Sequence, residues 1–102
     1  MERLRADVEV RGEDCVELRL HGDLDAEGAD VLHALVTEFD RIARIDLEDV
    51  GTIDSSGLFA LVQADTRSRQ SGVRLTLVPP SEAVRRIFEW TGLESRLTFV
   101  AA

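Results

Sequence analysis

Asp54, Ser55 and Ser56 follow one another in the stretch Val50-Gly51-Thr52-Ile53-Asp54-Ser55-Ser56-Gly57-Leu58, and each carries a side-chain oxygen able to cap a helix. One cap requires only one such residue. A helix N-terminus also offers unpaired N–H groups and a partial positive charge, worth about 0.3–1 kcal/mol to an anion and up to ~2 kcal/mol when partly buried. A phosphoryl group placed on a serine there is stabilised within the molecule. Gly57, in the first turn, is expected to leave room for a partner's backbone. On spacing alone, the simpler reading is a helix start with more caps than it needs.

Other chemistries find less support. A nucleophilic serine needs a base, and His21 and His33 are the only histidines. His21 reads as a strand residue on a polar face and His33 as an exposed helix residue between Leu32 and Ala34. The glycine two residues before the serine that a nucleophile elbow requires is missing from Thr52-Ile53-Asp54-Ser55-Ser56-Gly57. There is no Walker loop, GxGxxG or HExxH. Cys15 is the single cysteine, so neither an internal disulfide nor a cysteine-rich zinc site can be built. No cofactor and no metal is expected.

The chain has 102 residues, the length of one domain over 1–102, and its 44% hydrophobic and 31% charged residues are an ordinary globular composition. Its net charge is −8, which argues against nucleic acid or an anionic membrane as partner, since both are bound by clustered Lys and Arg. The opening MERLRADVEVR places charges where a signal peptide needs an apolar stretch. The longest apolar run near the middle, Leu58-Phe59-Ala60-Leu61-Val62, is far short of the roughly 20 residues of a membrane span. A soluble, cytoplasmic domain without membrane insertion is expected.

The elements that must position the serines follow from periodicity. Apolar residues alternate at Val8 and Val10, at Val16, Leu18 and Leu20, at Ala43, Ile45 and Leu47, and at Val73, Leu75 and Leu77. This predicts four strands with one buried and one wetter face. Glu13-Asp14, after Gly12, predicts a hairpin turn between the first two, and Leu97–Val100 a final short strand. Val31, Leu32, Leu35, Val36 and Phe39 make a helical stripe. A second helix begins near Leu58 and stops near Gly72, and a third runs from an N-cap at Ser81 to Gly92. Pro79-Pro80 closes the strand before it. The order β-β-α-β-α-β-α-(β) implies an α/β fold, α+β-like: a mixed sheet of four to five strands, its opening hairpin antiparallel and its helix-linked strands parallel. Alternating rather than continuous apolar runs place the helices mainly on one face. Asp23, Asp25, Asp49 and Asp54 are expected to follow strands at one end of the sheet. Clustered there, they would make an added phosphate strongly repulsive to an acidic partner.

Three segments carry a resemblance to a known family. Leu18-Arg19-Leu20-His21-Gly22-Asp23-Leu24-Asp25 is similar to the strand and Gly-Glu-Leu-Asp of the STAS domain, the family of anti-sigma factor antagonists and sulphate transporter tails. Ile45-Asp46-Leu47 through Ile53-Asp54-Ser55-Ser56-Gly57-Leu58 resembles its central strand and Asp-Ser-Ser-Gly-Leu loop. Pro79-Pro80-Ser81 to Trp90-Thr91-Gly92-Leu93 resembles its last helix and the Thr-Gly-Leu after it. The three occur in the family's order and span nearly the whole chain.

The resemblance implies a regulatory phosphorylation on the serine directly after the aspartate, here Ser55. Asp54 would hold the loop and the approaching hydroxyl, Ser56 would cap or act as a minor acceptor, and Asp25 would lie near the phosphoacceptor. With Asp23, Gly57, Leu58 and Phe59 these make up the expected partner-binding surface. The chain departs from the family at Phe59, a position often small there; its place off the Leu58, Leu61, Val62 stripe points it to solvent beside Ser55 or onto a neighbouring core edge. The function implied is that of an anti-sigma factor antagonist, a substrate and not an enzyme. Its partners would be an anti-sigma factor, which is a serine kinase of histidine-kinase-like fold, and a phosphatase. A non-switching STAS subunit of a membrane transport complex, or of a stress-sensing scaffold, is the alternative. A separate 102-residue chain with an intact Asp-Ser-Ser-Gly fits the antagonist better than a transporter tail.

Overall fold

Alternation in the sequence becomes alternation across a sheet. In the computed structural model, which describes residues 2–12 and 15–100, the strands are β1 (Arg5–Arg11), β2 (Cys15–Leu24), β3 (Ile42–Ile53) and β4 (Thr76–Val78). The helices are α1 (Ala26–Glu38), α2 (Ser55–Gln70) and α3 (Glu82–Thr91), with a 3-10 turn over Leu93–Arg96. The sheet order is β1-β2-β3-β4; β1 is antiparallel to β2, and β2-β3 and β3-β4 are parallel. The turn at Glu13-Asp14 lies outside the described residues.

Val16, Leu18 and Leu20 of β2 and Ile42, Ile45 and Leu47 of β3 are buried beneath the helices with Leu32, Val36, Leu58, Leu61 and Phe88. The opposite face is charged and open, lined by Asp7, Glu9, Arg11, Glu17, Arg19, Arg44 and Asp46. The helices thus cover one face, as the alternation predicts. The Ser68 hydroxyl donates to the Ile42 carbonyl at 2.9 Å, fastening the far end of α2 to the start of β3.

Three expectations need correction. Val8 and Val10 are not buried: they are 41% and 65% exposed. They oppose Leu18 and Val16 across the hairpin, but the helices pack chiefly on β2 and β3, and of β1 only Ala6 packs against the core. The fourth strand is shorter than Val73–Leu77. The Val73 amide donates to the Ser68 carbonyl at 2.9 Å, so it belongs to the close of α2, and pairing with β3 begins at Thr76. Leu97–Val100 is a single parallel bridge between Leu77 and Phe99, held by Leu77 donating to Thr98 and Val100 donating to Leu77, both at 2.8 Å. The 3-10 turn before it leaves only that residue aligned, and Phe99 packs edge-on against Phe88 at 5.5 Å.

Candidate functional site

β2 and β3 are parallel neighbours, so they deliver their following helices side by side at one end of the sheet. Each helix starts the same way. Asp25 caps α1 by accepting from the Gly28 amide at 2.9 Å, and Asp54 caps α2 by accepting from the Gly57 amide at 3.1 Å. Asp25-Ala26-Glu27-Gly28 and Asp54-Ser55-Ser56-Gly57 are one local motif used twice. Both glycines are buried because the helix starts press onto the end of β2. A Cβ on Gly28 would fall on the Asp23 carbonyl oxygen, and one on Gly57 on the Leu24 carbonyl oxygen and within 2.7 Å of Leu24 Cγ. The Asp54 amide donates to that same Leu24 carbonyl at 3.3 Å, tying the two starts together.

Ser55 and Ser56 are exposed in the first turn of α2. With Asp54 occupying the Gly57 amide, the amides of Ser55 and Ser56 have no hydrogen-bond partner among the described residues. These are the donors, at the positive end of the helix dipole, that favour an anion. Phe59 stands four residues after Ser55, one turn on along the same side, and is 61% exposed. It borders a groove of about 340 Å³ between α1 and α2, whose walls include His33, Val36, Val62 and Gln63. Ser56 and Ala29 line the continuation of the groove toward the helix starts.

The remaining expected site residues fall elsewhere. Leu58 is 1% exposed and belongs to the core, and Gly57 is filled against by Leu24 of its own chain. Neither offers surface to a partner, and Gly57 makes room for β2, not for a second protein. Asp54 is the cap, so Ser56 is not. Two of the four aspartates lie inside strands and do not follow them. Asp23, in β2, is buried; it accepts from the Glu2 amide at 3.0 Å and would meet a Cβ on Gly51 at 3.4 Å. Asp49, in β3, sits on the charged face with His21 Nδ1 at 3.2 Å, while His21 Nε2 faces Asp7 at 2.9 Å. The capping role of Asp25 was readable from its spacing to Gly28, which repeats that of Asp54 to Gly57.

The surroundings of Ser55 are acidic. Asp25, Glu27, Asp30 and Asp54 lie on or cap these helix starts, and neither α1 nor α2 before Arg67 carries a basic residue other than His33. Among the described residues no cluster of His, Cys, Asp and Glu is arranged to hold a metal ion, and no helix is long and apolar enough to cross a membrane.

A four-stranded mixed sheet, helices on one face and an Asp-Ser-Ser-Gly helix start at the tips of its parallel strands define a STAS-type domain. The family model described as "Mlab, STAS domain" matches residues 8–100. The chain belongs to the STAS family. It is 32% identical over 91 residues to the anti-sigma-B factor antagonist of Listeria monocytogenes, an alignment covering 85% of this chain and 80% of that one. Among solved structures it is similar to a Thermotoga maritima protein assigned to the anti-sigma factor antagonists, with a TM-score of 0.80, 25% identity, and 95% and 86% of the two chains covered. The anti-sigma factor antagonist SpoIIAA in its unphosphorylated form shares the fold, with a TM-score of 0.71 at 20% identity over 96% of this chain and 89% of that one. SpoIIAA of Bacillus in its phosphorylated form shares it too, with a TM-score of 0.69 at 21% identity over 95% and 92%.

Proposed function

We propose that this chain is an anti-sigma factor antagonist controlled by phosphorylation of Ser55. Unphosphorylated, it binds an anti-sigma factor and so releases a sigma factor. The anti-sigma factor is a serine kinase of histidine-kinase-like fold; it phosphorylates Ser55, and the complex comes apart until a phosphatase restores the hydroxyl. The chain is then a substrate and binding module rather than an enzyme, with ATP and Mg²⁺ supplied by the kinase. It works in the cytoplasm.

The observation that carries this reading is the placement of Ser55: exposed, in the first turn of α2, with the cap already supplied by Asp54 and with exposed Phe59 one turn away. The hydroxyl is not consumed by structure, and it sits where a partner gripping Phe59 would touch it. Phe59, Ser56 and the outward edges of Asp25 and Asp54 form the partner surface. The names of the relatives supply the class of partner. Phosphorylation adds about −1.5 to −2 charges at neutral pH to a surface that already carries four carboxylates. The free amides at the helix start can donate to the phosphate without moving the backbone. Release therefore comes from local repulsion and occlusion, not from unfolding.

The test is phosphorylation by the cognate kinase with ATP, read by intact mass and peptide mapping. One phosphate is expected, on Ser55, and none on Ser55→Ala. Phosphate on Ser56 or Thr52 with Ser55 unmodified contradicts the assignment. A protein that no kinase of its host labels is not a switch, and a subunit of a transport complex becomes the better reading.

A further inference from the structure

We propose that β1 is a self-association edge, across which two copies of this chain pair antiparallel in a register centred on Glu9. The two edges of the sheet differ. At β4, Leu77 is already hydrogen-bonded to Thr98 and Val100, so the C-terminal segment covers that side. β1 pairs with β2 alone and has no neighbour on its outer side among the described residues. Of the devices that usually blunt an exposed strand edge (shortness, proline, a bulge, charged side chains), β1 has only the last, and its charges alternate in sign. β1 has seven residues, no proline, and an unbroken register with β2 from Arg5 opposite His21 to Arg11 opposite Cys15. Its side chains alternate between Asp7, Glu9 and Arg11 on the charged face and Val8 and Val10 on the helix face, where the two valines are left 41% and 65% exposed.

A two-fold contact must be self-complementary, and an antiparallel pair across a two-fold axis keeps each face continuous, setting odd positions opposite odd ones. Centred on Val8, Arg5 would oppose Arg11 and Asp7 would oppose Glu9, like charges throughout. Centred on Asp7, Arg5 would meet Glu9, but Arg3 would meet Arg11 and Val10 would oppose Leu4, which is buried in its own chain. Centred on Glu9, Asp7 of each copy opposes Arg11 of the other, and Val8 opposes Val10 twice. That register pairs unlike charges twice and lays valine on valine twice; centring on Val10 would also pair Glu9 with Arg11, but would set Val8 against Gly12 and leave it uncovered. Glu9 meets its own copy on the axis, the one like-charge contact of this register, beside Arg11 of its own chain, which lies 3.4 Å from Glu9 and 2.9 Å from Glu17. An interface of one strand pair falls below the roughly 1,200 Å² of a stable complex, so the dimer is weak and concentration-dependent. The Ser55 surface lies on α2, over β3, so both copies keep it free.

Sedimentation velocity of the purified chain at low salt, from about 10 μM to about 1 mM, the range of weak complexes, tests this. The wild type is expected to move from the 11.3 kDa monomer toward twice that mass. Asp7→Arg and Arg11→Asp are each expected to weaken association by about tenfold, because each turns two facing pairs into like charges. Mixed in equal amounts, the two variants are expected to associate again, since the two arginines of one variant then face the two aspartates of the other. Circular dichroism confirms that both variants fold. A wild type monomeric throughout, association that survives Arg11→Asp, or a mixture that stays monomeric each overturns the proposal.

Discussion

Phe59 is large, apolar and 61% exposed on a helix whose neighbouring residues Leu58, Ala60 and Leu61 are buried. An aromatic left this exposed gives little to folding, which fits the binding role proposed for it. Aromatics at the centre of an interface often contribute about 2 kcal/mol or more. Phe59→Ala is therefore expected to weaken the anti-sigma factor complex by roughly 30-fold in titration calorimetry while leaving the melting temperature almost unchanged. A large loss of melting temperature with unaltered affinity would place Phe59 in the core instead. Asp54 behaves in the opposite way. Its carboxylate holds the Gly57 amide at 3.1 Å, and Asp54→Ala is expected to cost about 1 kcal/mol of stability in denaturant unfolding, the usual loss of an N-cap. Asp54→Ser, which keeps a capping oxygen, is expected to recover most of it.

At the scale of elements, the site depends on how α1 and α2 leave the sheet. Both rest on the end of β2 through a glycine, and backbone carbonyls, which cannot swing aside, occupy the space a methyl group would need. Gly28→Ala and Gly57→Ala are each expected to destabilise by about 1–3 kcal/mol, the range for overpacking a filled site, as read by chemical denaturation. Wild-type stability in Gly57→Ala would mean that the helix start is not pressed onto β2. How much of this was legible in the sequence follows from the reach of each interaction. Strands β2 and β3 and all three helices declare themselves by local periodicity, and Asp54 and Ser55 by residue type and order. The exposure of Val8 and Val10 does not show, because it depends on how far α1 extends across the sheet. Nor does the burial of Gly57, since the surface that covers it is Leu24, more than 30 positions earlier in the chain; the burial of Leu58 does show, in its place on the apolar stripe with Leu61. The place of Asp23 and Asp49 inside strands is hidden too, because β3 carries bulges against β2, with register shifts between Val16 and Glu17, Arg19 and His21, and Gly22 and Asp23. Each shift puts an extra residue into β3, so its pairing with β2 runs past the point where its alternation stops.

Over the whole molecule, charge is unevenly spread. All 12 basic residues are arginines, and none falls in α1 or in α2 before Arg67, so these helix starts offer backbone amides, but no arginine of their own, to a phosphate on Ser55. Ser55→Asp is expected to fold like the wild type by circular dichroism and to bind the anti-sigma factor more weakly. It should act as a partial mimic, since it brings one charge in place of nearly two. Added salt is expected to recover part of that binding, because exposed charges are screened beyond about 10 Å at 0.1 M; recovery of none would assign the release to steric occlusion alone. The most direct test compares the unphosphorylated chain with the same chain phosphorylated stoichiometrically on Ser55, titrated against the anti-sigma factor under one set of conditions. The phosphorylated form is expected to bind at least about tenfold more weakly with an unchanged circular dichroism spectrum. Equal affinity of the two forms would contradict the account.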